Sequence, residues 1–122
     1  MNVGDVVRIA DPRTKAHCWV LVVETANAKQ FIGVMLVSLK PHSDRTVILQ
    51  VGDHPFIQHE TSVDYGSATV LVTSKLDSWV SSKRAALQQP MDPVVMHRIR
   101  HGVCDSTRTP NHVKEVMGCP RD

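Results

Sequence analysis

Residues able to move protons crowd one part of this chain. Ser38-Leu39-Lys40-Pro41-His42 closes a long apolar run, and His17, His54 and His59 fall in or beside the neighbouring loops. Imidazole can give or take a proton near neutral pH, and lysine or arginine can steady charge growing on a phosphate. Two further chemistries are written in the chain. His101-x2-Cys104-x7-His112-x6-Cys119 offers the atom types of a tetrahedral zinc site, in a spacing that matches no standard finger. Cys18 opens an apolar strand, where a thiol more often serves as a small apolar side chain than as a nucleophile. Asp53 and His54 are adjacent, so in an extended segment they face opposite ways; Asp53 reads as a turn residue, and Pro55-Phe56-Ile57 as a plug for one end of the fold. The residues imply no cofactor.

The elements that must position these groups start with Phe31-Ile-Gly-Val-Met-Leu-Val-Ser-Leu39, seven of whose nine side chains are apolar and none charged. A strand covered on one side alternates, and this one does not, so it is expected to be central and buried on both faces. Val6–Ala10, Cys18–Val23, Thr46–Val51, His59–Tyr65 and Ala68–Thr73 supply five more candidate strands, Gly66 separating the last two and Asn27 turning the chain before the central one. Six short strands at close spacing predict a small barrel rather than a βαβ sheet.

After Thr73 the pattern becomes helical. Ser74 is expected to cap a first helix carrying Leu76, Trp79, Val80 and Lys83, ended by Gln88-Gln-Pro90. Asp92-Pro93 is a cap followed by a proline at the first helical position; Val95, Ile99 and Val103 share one face, and His97, Arg100, His101 and Cys104 another, with Gly102 ending the helix. The basic face His97-Arg98-Arg100-His101 could meet phosphate, although a charged helix face is more often simply solvated. Thr109-Pro110 repeats the cap signal before a last helix with Val113, Val116 and Met117 as its contacts. The fold class expected is mainly β with C-terminal helices: one domain over 1–122, a β-barrel over 1–73 with a helical extension over 74–122 packed on it.

Composition bounds the rest. The 122 residues are 42% hydrophobic and 21% charged, which suits a globular chain with one modest core. A net charge of +2 permits phosphate contact without demanding it, and five aromatic residues make an aromatic stacking platform a poor expectation. No run reaches the roughly 20 apolar residues of a membrane span. Met1-Asn-Val-Gly-Asp5 lacks the basic and apolar parts of a signal peptide. Three cysteines, an odd number without paired spacing, fit a reducing cytoplasm better than a disulfide framework.

Gly4-Asp5-Val6-Val7 opening the first strand, the apolar strand Trp19-Val-Leu-Val22 and the run Val34-Met-Leu-Val-Ser38 together resemble the PemK/MazF family of bacterial toxin–antitoxin endoribonucleases. The likeness covers about the first half of the chain. It implies an SH3-like β-barrel with two or three short accessory helices, a homodimer, metal-independent cleavage of single-stranded RNA, and an antitoxin protein as partner. Ser38 matches the hydroxyl the family places at the end of its third strand. The family's basic residue at or before the second strand has no direct match, since Ala16-His17 precedes Cys18, with Arg13 and Lys15 further back. The loops near the central strand hold groups for these roles: His17 or Arg13 is expected to join Ser38 at the scissile phosphate, and His54 or His59 to join from the opposing loop. Lys15, Lys40, His42 and Arg45 would bind the RNA. Two other functions fit such a chain: a catalytically silent barrel that binds a protein partner, and a small zinc-supported adaptor.

Overall fold

The apolar run is the middle of a six-stranded antiparallel sheet. In a computed structural model, which describes residues 1–13, 15–25 and 29–120, the strands are β1 (Val6–Ile9), β2 (His17–Glu24), β3 (Gln30–Ser38), β4 (Ile48–Leu49), β5 (Thr61–Val72) and β6 (Ala85–Leu87). Their order is β4-β5-β3-β2-β1-β6. Three helices follow β5: α1 (Thr73–Ser81), α2 (Pro93–Asp105) and α3 (Asn111–Met117). The fold is mainly β with C-terminal helices, as expected. The barrel is not closed: β4 and β6 are opposite edges, and no pairing joins them among the described residues. Asn27 lies outside the described residues.

β3 is buried on both sides because each face of the sheet meets a different layer. Alternation sends Ile32, Val34 and Leu36, with Cys18, Val20 and Val22 of β2, into a core shared with Val95, Ile99 and Val103 of α2 and Val113 of α3. Phe31 and Leu21 point the other way, against Leu76 and Trp79 of α1.

Five details depart from the sequence reading. Gly66 does not divide two strands, because β5 runs unbroken through it. The register against β3 jumps instead, from Gly33↔Thr69 to Met35↔Asp64, so that residues 65–68 bulge. Ser67 bridges the gap, its hydroxyl accepting from Met35 N at 3.1 Å and donating to Asp64 O at 2.6 Å. Ser74 is not a cap: β5 passes straight into α1, with Val72 at the N-cap position and no side-chain cap. That helix stops at Ser81, and the chain turns at Lys83 (φ 63°) so that Ala85–Leu87 can pair with β1 as β6. Thr109 does not cap α3, whose N-cap position is Pro110. Gly102 lies inside α2 rather than at its end. The Asp92-Pro93 reading holds, with the Asp92 carboxylate accepting from Val94 N and Val95 N.

The cysteine expectation is also corrected. Cys104, near the end of α2, and Cys119, just past α3, form a disulfide with Cα atoms 5.4 Å apart. The helix hairpin brings them together, and 15 positions of sequence hide that proximity. Only Cys18 remains a free, buried thiol. No helix among the described residues is long and apolar enough to cross a membrane.

Candidate functional site

The end of β3 meets the start of β5. Ser38 pairs with Thr61, and the ladder extends one step further through Leu39 N donating to Glu60 O at 3.1 Å. In an antiparallel pair, residues two apart on one strand share a face, so Ser38 looks diagonally across at His59. Ser38 Oγ and His59 Nε2 lie 2.8 Å apart, both residues exposed to solvent. The Thr61 hydroxyl, itself buried, donates to His59 O at 3.0 Å and fixes the backbone that carries the imidazole. A hydroxyl and an imidazole at hydrogen-bond distance, open to water, place a hydrogen-bonding group beside a group able to give or take a proton.

Lys40 follows Ser38 by two residues, at the head of the loop that also carries His42 and Arg45, and all three are exposed. A buried carboxylate holds this loop. Asp44 Oδ1 accepts from Thr46 N at 2.9 Å and Thr46 Oγ1 at 2.6 Å, while Oδ2 accepts from Ser106 Oγ at 2.6 Å. Asp44 O accepts from the Ser62 hydroxyl, and Arg108 Nη1 donates to His42 O at 2.8 Å. Burial by itself pushes the Asp44 carboxyl up. The hydrogen bonds from Ser106 and Thr46 and the nearby Arg108 charge outweigh that and hold it below its ordinary value. Asp44 was not legible as a positioning residue. Asp44-Arg45-Thr46 reads as a polar turn, and its distant partners Ser62 and Ser106 come from β5 and the α2–α3 link.

The other expected site residues are dispersed. His17 lies one step beyond the Cys18–Leu36 pair, beside Val37, and shares the face of Trp19; Ser38 shares the opposite face with Leu36. The two therefore do not converge, despite being neighbours in the sheet. Arg13 is exposed in the β1–β2 turn, where its N–H donates to Asp11. Lys15 is exposed on the same connection. His54 is buried at 4% exposure, with Phe56 N donating to its Nδ1 and its Nε2–H donating to Gln89 O. Both ring nitrogens are thus engaged in tying the 52–57 turn to the segment before α2, and Ile57 and Phe56 pack on the main core as a plug.

The zinc reading is overturned. Cys104 and Cys119 are bonded to each other, His101 and His112 are exposed, and no group of three potential metal ligands occurs among the described residues. On the basic face of α2, Arg98 reaches Ile48 O at 3.0 Å and Asp53 at 3.8 Å, which ties the helix to the β4 edge. The Cys18 thiol is pushed up by burial, against the opposing charge of Arg8, as suits a packing role.

No protein-family model matches the chain, and no curated protein matches it.

Proposed function

We propose that this chain is a PemK/MazF-like endoribonuclease of the toxin–antitoxin type, cutting single-stranded RNA without a metal through Ser38 and His59. One observation carries the reading: the 2.8 Å contact between Ser38 Oγ and His59 Nε2 at an open strand end. His59 takes the proton from a ribose 2′-OH as O2′ bonds to phosphorus and the P–O5′ bond breaks. The 5′-oxygen leaves with a proton from solvent, giving a 2′,3′-cyclic phosphate and a 5′-hydroxyl. Ser38 Oγ accepts from His59 Nε2–H and donates to a phosphate oxygen, which leaves Nδ1 to take the proton, and Lys40 supplies the positive charge. Arg45 extends that charge along the RNA, and His42 offers a further hydrogen-bonding group beside it. An antitoxin protein, a homodimer and a cytoplasmic setting belong to the same proposal. In that setting the Cys104–Cys119 bridge meets a reducing thiol pool.

The test is incubation of the pure chain with a mixed RNA pool in EDTA, followed by end-group analysis. Fragments ending in cyclic phosphate and 5′-hydroxyl support the proposal. Intact RNA contradicts it and leaves a catalytically silent, partner-binding fold.

A further inference from the structure

The sheet face opposite Ser38 carries a groove of about 470 Å3 that the proposed chemistry does not use. Its floor is Trp19 and Met35, cross-strand partners on β2 and β3, with Leu71 of β5. Trp79 of α1 forms a wall, and His17 and Arg84 stand at the rim. The chain has two tryptophans, and both line this one space. Gly33 lies beneath, and a β-carbon there would collide with the Leu71 side chain, so glycine lets Leu71 and Trp19 close over the strand. The Arg84 guanidinium is placed 4.6 Å from the Trp79 ring centroid and donates to Ala10 O, which fixes one cation beside an aromatic wall. Asp11 at the lip accepts from Arg13 N.

A small-molecule site is a concave space of roughly 300–1,000 Å3 with apolar and aromatic walls and a few polar groups at its margin. Two half-buried indoles suit a flat aromatic ring, and a histidine and an arginine at the rim suit an anion attached to it. We infer that this groove binds a nucleotide, its base packed on Trp19 and Trp79 and its phosphate met by Arg84 and His17. The ligand comes either as a free nucleotide or as one unit of an RNA strand. Since His17 sits beside Val37, next to Ser38 in the chain, a strand leaving the groove at that end reaches the edge where Ser38 and His59 stand. Nucleotide binding here does not depend on those two residues reacting.

The test uses the full chain carrying Ser38→Ala, so that strand cutting is slowed, in EDTA. Tryptophan fluorescence is followed while adenosine monophosphate, adenosine or hexa-adenylate is added. Saturable quenching by the monophosphate is expected, with adenosine weaker by about tenfold. Arg84→Ala, an exposed change checked by circular dichroism, lowers monophosphate affinity by about tenfold. Hexa-adenylate binding more tightly than the monophosphate supports an RNA strand as the source; equal or weaker binding supports a free nucleotide. No saturable quenching at several millimolar monophosphate overturns the inference, as does affinity unchanged by Arg84→Ala. Because cleavage is not read, failure here is separate from failure of the Ser38–His59 chemistry.

Discussion

Tyr65 occupies the space that a side chain at Gly102 would need. Its hydroxyl reaches over the helix to donate to Ile99 O at 2.7 Å, and a β-carbon on residue 102 would fall on that hydroxyl and 2.8 Å from Val47 Cγ2. Burial pushes the phenol well above its ordinary range, in keeping with a neutral donor. Gly102→Ala should gain about 1 kcal/mol of helix propensity and lose about 2–3 kcal/mol or more to overpacking, for a net loss. Combining it with Tyr65→Phe, which removes the oxygen but not the ring, should recover part of that loss. Urea unfolding of the two single variants and the double variant reads both effects. A Gly102→Ala chain as stable as the original would refute the packing described.

Asp44 predicts an acid-sensitive fold. The folded chain keeps this carboxyl ionised below its ordinary value of 3.8, so the unfolded chain takes up the proton first. Its contribution is full above pH 3.8 and is lost as pH falls through the lower folded value. Asp44→Asn should cost about 2 kcal/mol or more at neutral pH, because an amide nitrogen then faces a hydroxyl that had been donating to a carboxylate. It should also flatten the acid limb. Stability measured from pH 6 to 2 in both proteins checks this; parallel acid limbs would count against the network.

Reduction separates α3 from its covalent tether. Closing a loop with a 15-residue separation is worth about 3 kcal/mol through the unfolded state. Dithiothreitol, or the Cys104→Ser and Cys119→Ser pair, should lower stability by about that amount while β1–β5 persist. Alkylation under native, non-reducing conditions should be slow at Cys18, which is buried, and fast only after unfolding. Rapid labelling of three thiols in the native chain would show that the bridge does not form.

Local pattern was enough where one stretch carried its own answer. The unbroken apolar run of β3, the Asp92-Pro93 start of α2 and the split of α2 into buried and charged faces depend on neighbours within a turn or a strand. β6 was hidden because Ala85-Ala86-Leu87 carries no strand signal, and pairing with β1 overrides its propensity. Gly66 and Gly102 read as breaks, yet they serve a bulge and a close approach, both set by distant partners. Ser38 and His59 were legible singly as reactive groups. Their meeting depends on the β3–β5 register across 21 positions, which no spacing rule contains. The same limit hid the aromatic groove: five aromatic residues look sparse until β2 and α1 bring both tryptophans to one place.

The central claim is that Ser38 and His59 act as one unit on RNA. The most direct measurement is single-turnover cleavage of a short RNA in EDTA by the original chain, Ser38→Ala, His59→Ala and the double variant, each checked for native circular dichroism. The account predicts that each single change slows cleavage by on the order of a hundredfold or more and that the double variant is little worse than the slower single one. Cleavage at the original rate in both single variants, or losses that simply multiply in the double variant, would contradict it.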